Sequence, residues 1–262
     1  MSDFDQQRAD IQQHGLSTMA DLVSLLRPLL LPATKLTPRK AQLPLAESQL
    51  RSHFGGLPYF ETGEAWPTTE TGQPLDFIMQ VVASEGAELP DGIGLVQLFY
   101  SWEEFPWDTD QEGWLVKTYP AVSAERAQII ARPASLTEPV FCEIDFTPIQ
   151  TLPGWDGIDD YPEGATATAL ASVLNEEEPW EAYRQAVEQL IGEQDFESTL
   201  GGYPAWVQGA ANPVDEMGKN WPLLFQLDSE GAAGIMWGDT GLVYVFYDPE
   251  QAREFFFVLQ CL

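Results

Sequence analysis

Apolar residues recur with a period of two over much of the chain, which predicts strands rather than helices. In residues 75–82, Leu75, Phe77, Met79 and Val81 fall on one face, with Gln80 opposite beside Ile78. In residues 223–227, Leu223, Phe225 and Leu227 share a face, with Gln226 opposite beside Leu224. Further strands are predicted at 94–101, 114–119, 127–132, 139–146, 242–247 and 254–261. Helical spacing is rarer. A polar helix is expected over 2–14, capped by Ser2 or Asp3, and a short one over 44–54. Another starts near Ser17, with Met19, Leu22, Val23, Leu26 and Leu30 on one face, and Pro28 should kink or end it. The stretch 32–38, with Pro32 and Pro38, reads as an irregular connector. A helix after Asn175 should bury Trp180, Tyr183, Val187, Leu190 and Ile191. Residues 148–166 read as a long acidic loop punctuated by Pro148, Pro153, Gly154, Gly157, Pro162 and Gly164, and Asp248-Pro249 predicts one helical turn.

One block occurs twice. Gly55-Gly56-Leu57-Pro58 leads to the strand holding Gln80, and Gly201-Gly202-Tyr203-Pro204 leads to the strand holding Gln226. The first glycine precedes its glutamine by 25 residues in both copies, and a Gly-Leu-Val strand ending in Phe-Tyr follows each. Equal spacing with equal residue types predicts an internal duplication. The expected fold is α+β, mainly antiparallel β, built as two related β-rich halves. The divisions expected are an N-terminal helical segment (1–45), a first half (46–147), an acidic loop and helix connector (148–198) and a second half (199–262), together one compact unit.

The Gly-Gly-x-Pro entry, the apolar-Gln-apolar strand and the Gly-Leu-Val run resemble the YwqG-like family of bacterial proteins, a domain of unknown function. Leu259-Gln260-Cys261 and the segment 235–241 (Ile-Met-Trp-Gly-Asp-Thr-Gly) carry the same likeness, which covers residues 46–262. The resemblance implies a fold and no catalytic residues. A remoter likeness, in the Gly-Gly-x-Pro-x-Trp entry and the later apolar-Gln strand, is to the programmed cell death protein two family of ribosomal-protein chaperones. Those proteins carry Cys-x-x-Cys pairs, which this chain lacks, so the likeness implies no zinc site.

Charge narrows the function. With 12 Lys and Arg against 41 Asp and Glu, the net charge is −29. Residues 52–116 and 133–183 contain acids and no Lys or Arg. Such a surface repels phosphate backbones, so nucleic acid is not expected as a partner. A basic protein is the partner that the charge favours, although solubility alone also rewards net charge. The two cysteines, Cys142 and Cys261, sit in apolar runs and read as buried free thiols. No secretory signal and no span long enough for a bilayer is evident, which predicts a soluble cytoplasmic protein.

Candidate chemistry is sparse. His14 and His53 are the only histidines, and no nucleophile elbow, phosphate loop, H-E-x-x-H or Cys-x-x-Cys occurs. No catalytic residue, metal or cofactor is therefore assigned. Asp108, Asp110 and Gly113 imitate the first half of a calcium loop, but Tyr119 stands where a bidentate Glu is needed. The surface expected to meet a partner comprises Trp102, Glu103, Glu104, Trp107, Asp108 and Asp110, with Asp156, Asp159 and Asp160. Gly55, Gly56, Pro58, Gln80 and their counterparts Gly201, Gly202, Pro204, Gln226 are read as structural: turns, and amides tying strands together. The expected function is binding or chaperone-like and non-enzymatic. The alternative is a carboxylate-dependent hydrolase or carbohydrate-active enzyme with its site between the halves.

Overall fold

The computed structural model describes residues 11, 15–41, 49–137, 140–193, 195–251 and 253–262. The helix expected at 2–14, residue 11 apart, and residues 44–48 of that expected at 44–54 therefore lie outside the described residues; of the remainder, His53 and Phe54 form a strand instead of a helix. The contacts divide the chain into two compact units, residues 1–33, 149–196 and 202–210 in one, and 34–148, 197–201 and 211–262 in the other.

The first unit is helical. Helix α1 (Met19–Leu26) opens on a capping box, Asp21 N donating to Thr18 Oγ1 at 3.2 Å and Thr18 N donating to Asp21 Oδ2 at 2.9 Å. Pro28 stands in a 3-10 turn (Arg27–Leu29) that ends it. The predicted acidic loop is largely ordered structure instead: a 3-10 helix (Trp155–Asp160) and α2 (Gly164–Leu174). Its helix escaped the pattern because Ala167, Ala169 and Ala171 are buried by smallness and leave no large apolar stripe. Gly164 starts α2 against the preceding turn, where a Cβ would stand 1.8 Å from the Ile158 carbonyl oxygen. Helix α3 (Pro179–Ile191) buries Tyr183 and Val187, and Tyr183 OH donates to Pro153 O at 2.6 Å. Trp180 is a correction: it is 47% exposed, because α3 turns Ala182 and Ala186 toward the core in its place.

The second unit carries most of a nearly closed, ten-stranded, mainly antiparallel sheet. Its strands are β1 (Leu31–Lys40), β2 (His53–Phe54), β3 (Asp76–Val82), β4 (Leu95–Tyr100), β5 (Trp114–Tyr119), β6 (Cys142–Thr151), β7 (Thr199–Gly201), β8 (Leu223–Asp228), β9 (Leu242–Tyr247) and β10 (Phe255–Gln260). They lie in the order β10-β9-β8-β7-β1-β6-β2-β3-β4-β5. Asp108, in the loop between β4 and β5, bridges to Val258 of β10, which draws the two ends of the sheet together.

Strand β1 corrects the connector expected at 32–38. Leu36 N donates to Ser198 O at 2.8 Å, on the β7 side. By strand alternation Pro32 and Pro38 face the same side, where β7 is only three residues long, so their missing N–H groups break no ladder. The strand expected at 127–132 reduces to one bridge, Glu61 to Ala127. The helical turn expected at Asp248 is a non-helical turn in which Glu250 N donates to Asp248 Oδ1.

The strict alternation expected in both glutamine strands is also corrected. A bulge falls between Phe77 and Met79 in β3, and another between Leu223 and Phe225 in β8. The extra residue moves Ile78 to the side of Met79 and Val81 in the main core, while Phe77 joins Leu75, Phe60 and Phe99 in a separate cluster. Leu224 likewise joins Phe225 and Leu227 in the main core. Each bulge lies just before its glutamine, and each glutamine points away from that core's apolar side chains.

Candidate binding site

The two glutamines are built into matching local frames. Gln80 is buried; its Nε2 donates to Gln49 O at 2.8 Å and Arg51 O at 2.6 Å, and its Oε1 accepts from Tyr59 N at 2.8 Å. Gln97 Nε2, on the neighbouring strand, donates to the same oxygen at 3.1 Å. Gln226 Nε2 donates to Glu197 O at 2.8 Å. Ser52 Oγ accepts from Val82 N, and Ser198 Oγ from Asp228 N, two residues beyond each glutamine. Gly55 and Gly56 have φ of +59° and +71°, and Gly201 and Gly202 of +63° and +77°, left-handed values that favour glycine. With every amide group occupied, Gln80 ties strands together and offers nothing to a ligand.

The loop between β4 and β5 is the acidic surface singled out above. Its backbone is pinned at several points. Tyr100 OH donates to Pro106 O at 3.1 Å, Glu104 N to Ser101 Oγ at 3.1 Å, and Leu259 N of β10 to Trp107 O at 2.8 Å. Thr109 Oγ1 both donates to Phe257 O at 3.1 Å and accepts from Phe257 N at 2.7 Å. Phe105 is held at φ +47°, a conformation that side chains of this size avoid. From this frame Glu103, Glu104, Asp108, Asp110 and Glu112 project into solvent around Trp107, which is 42% exposed. Trp102 differs: it is half-buried, with its ring centroid 4.9 Å from those of Tyr100 and Trp237.

Trp102 also lines a small pocket of about 120 Å³, whose other walls come from Gly55, Asp76–Ile78, Thr137, Val140 and Ala233–Ile235. Asp76 is the charged group of its described lining. The carboxylate is half-buried and no described residue is hydrogen-bonded or ion-paired to it; burial raises its pKa, and the field of Arg132 works in the opposite direction. Arg132 itself is engaged, its Nη1 donating to Leu136 O at 2.5 Å. Val140, 40% exposed, rests 3.3 Å from where a Cβ of Gly234 would stand.

Beside the pocket wall formed by Phe77, His53 is buried with its ring 5.5 Å from Phe77 and 5.3 Å from Phe141. Its Nδ1 lies 2.6 Å from Gly55 O, which fixes the proton there, and Nε2 has no partner among the described residues. Burial lowers its pKa to about 4, against hydrogen bonding at Gly55.

The loop thus gathers Trp102, Glu103, Glu104, Trp107, Asp108 and Asp110. Asp156, Asp159 and Asp160 are exposed on the 3-10 helix of the other unit, where Asp159 Oδ1 accepts from Thr168 Oγ1 at 2.7 Å. In the loop that imitates a calcium site, Asp108 Oδ1 is spent on Asp110 N at 3.0 Å. Among the described residues no group of three or more His, Cys, Asp or Glu side chains is arranged to hold a metal ion. Cys142 is buried and Cys261 half-buried, and neither forms a disulfide among the described residues. Asp76 was missed, although it is the only charge in the apolar run 75–82. That isolation is the signal that could have found it.

The fold and site define a mainly antiparallel β protein whose distinctive surface is a pinned acidic loop beside a small pocket whose one described carboxylate has no hydrogen-bond or ion-pair partner among the described residues. A family model described as a domain of unknown function, DUF1963, matches residues 52–259, and the chain belongs to that family. No curated protein matches the chain. Among the described residues, no helix is long and apolar enough to cross a membrane.

Proposed function

We propose that the protein is a soluble, cytoplasmic, non-enzymatic binding or chaperone-like protein that holds a basic protein partner against its β4–β5 loop. One observation carries the reading. Glu103, Glu104, Asp108, Asp110 and Glu112 surround an exposed Trp107 on a pinned backbone, and none of the five is ion-paired with a described residue. Six of the twelve bases are meanwhile committed elsewhere: Lys35, Arg39, Arg51, Lys117, Arg126 and Arg184 each pair with an acid. Unpaired like charges on a rigid frame speed encounter with an oppositely charged surface, and an aromatic anchor supplies the apolar contact. The same charges disfavour nucleic acid. On this reading the YwqG-like label and the remoter chaperone likeness describe relatives with the same binding role. The two sides of the sheet, with their matched bulges, glutamines and glycine turns, derive from one duplicated unit.

The test is a pull-down at about 0.05 M and about 0.5 M salt, bracketing strong and weak screening. A basic partner retained at low salt and released at high salt is expected. Charge removal at Glu103, Glu104, Asp108 and Asp110 should abolish retention. Recovery of no basic partner under either condition would overturn the reading.

A carboxylate-dependent hydrolase is the second reading, favoured by the raised pKa of Asp76 in a concave site. Glycoside chemistry takes two facing carboxylates, and the described lining of this pocket supplies one. Turnover of a glycoside or ester from a panel by the wild type, abolished in Asp76→Asn, would favour this reading; no turnover, with a basic partner lost on charge removal in the loop, would favour the first.

A further inference from the structure

We propose that the pocket beside the acidic loop receives a single lysine side chain of the basic partner, with the Asp76 carboxylate as its counter-charge. The inference rests on the reading of the loop as a surface for a basic protein and names what that surface reads.

Size comes first. The pocket holds about 120 Å³, whereas pockets for metabolites and drug-sized ligands start near about 300 Å³. It fits one side chain and excludes a sugar chain or a nucleotide. The walls come next: Phe77, Ile78, Val140, Ala233 and the edge of Trp102 are apolar and would cover an aliphatic stem. Charge decides which stem. Asp76 has no hydrogen-bond or ion-pair partner among the described residues, although burial has stripped part of its water. A desolvated carboxylate gains most from a cation that arrives with its own donors. Lysine brings a compact ammonium group with three donors on a four-carbon stem, which matches a narrow apolar approach to one carboxylate. An arginine guanidinium is a larger, planar head that pairs best when both carboxylate oxygens are open to its fork, a broader approach than so small a pocket offers. Glu103 and Glu104 follow the lining residue Trp102 directly in the chain and are exposed, so they add like charge to the same loop. They would draw the cation in without entering the pocket.

The test uses the full chain, labelled with nitrogen-15, and two short blocked peptides that differ only in having lysine or norleucine at the centre. The lysine peptide should shift the backbone amide signals of Gly55, Phe77, Ile78, Gly234 and Ile235, and the norleucine peptide should bind at least about tenfold more weakly. Asp76→Asn should lose the same factor while its spectrum stays that of a folded protein. Removing charge at Glu103 and Glu104 should weaken binding and leave the same signals shifting. Equal binding of the two peptides, or unchanged binding to Asp76→Asn, would overturn the proposal. The outcomes separate it from the loop reading. If Asp76→Asn retains the basic partner and the loop variant loses it, the pocket proposal falls alone. If lysine peptide fills the pocket and no basic partner is found, the loop reading falls alone.

Discussion

The burial of His53 predicts a specific acid sensitivity. The ring is 1% exposed, and burial takes its pKa from 6.5 to about 4. The unfolded chain therefore takes a proton on this imidazole below about pH 6.5, and the native protein resists one until near pH 4. Between those values the unfolded state binds more protons, so stability falls as pH falls. The stabilising difference is complete above pH 6.5 and is lost progressively down to about pH 4, at up to about 1.4 kcal/mol per pH unit. Over the whole window the loss approaches about 3 kcal/mol. That is a large share of the roughly 5–15 kcal/mol by which domains are stable.

The informative perturbation is His53→Phe, because Phe77 and Phe141 already frame the ring and phenylalanine carries no titrating group. The variant gives up the hydrogen bond to Gly55 O, about 1 kcal/mol, and should be the less stable protein at pH 8. It lacks the histidine-linked loss on acidification, so the two stability curves should cross near about pH 6. Any crowding from the larger ring shifts the variant's curve without changing its slope. The many carboxylates titrate in both proteins and cancel in the difference. Urea unfolding followed by tryptophan fluorescence, from pH 8 to pH 4.5, measures it. Parallel curves would refute the buried, neutral assignment. A second check is the imidazole proton signal of His53, one of two histidines, which should not move above pH 5.

Three other variants test the structure at separate points. Gln80→Leu strands the Tyr59 amide and the Gln49 carbonyl in the interior and unpairs the Arg51 carbonyl nearer the surface; at about 1–3 kcal/mol for each buried unsatisfied group, chemical denaturation should show a loss of roughly 2 kcal/mol or more. Gly202→Ala must place a Cβ 2.7 Å from Thr151 Oγ1 and 2.8 Å from Ala33 Cβ at φ +77°, so its thermal midpoint should fall by an amount equivalent to at least about 1–3 kcal/mol. Asp76→Asn removes a half-buried charge that no described residue partners, and denaturation at pH 7 should show it unchanged or stabilised by up to about 1 kcal/mol. The Asp76 gain should fade on acidification, because a carboxylate with a raised native pKa destabilises the fold only while it is ionised.

What the sequence disclosed follows from how each element is stabilised. Strands β3, β4, β5, β8, β9 and β10 lie within a residue or two of their expected limits, since each is an apolar run bounded by turn formers. Strand β1 was illegible because its two prolines argue against a ladder. They are tolerated only because β7 is short, which is a property of the partner strand. Helix α2 was illegible for a related reason, since apart from Leu170 its buried face is made of small residues and gives little contrast. The bulges in β3 and β8 reversed the sidedness of Phe77 and Ile78, and nothing local in either strand announces the extra residue. The acidic loop was visible as composition. Its rigidity was not, because Thr109 is held by Phe257, 148 residues away. The pocket was invisible altogether, being assembled from five separate stretches of chain.

Net charge by itself serves solubility wherever it is placed, and mobile surface carboxylates serve as well as fixed ones. The β4–β5 loop goes beyond that requirement. Keeping Phe105 in a left-handed conformation costs about 1–2 kcal/mol. The cost persists because Tyr100, Ser101 and Thr109 over-determine the backbone around it. A loop needed only for its charge would relax this residue by exchanging it for glycine or asparagine. Held as it is, the backbone fixes Trp107 and five carboxylates before any partner arrives, so association would incur little ordering cost. Strain retained beneath an exposed tryptophan, together with a carboxylate in the adjoining pocket that no described residue bonds, favours a surface shaped for recognition over one shaped for solubility.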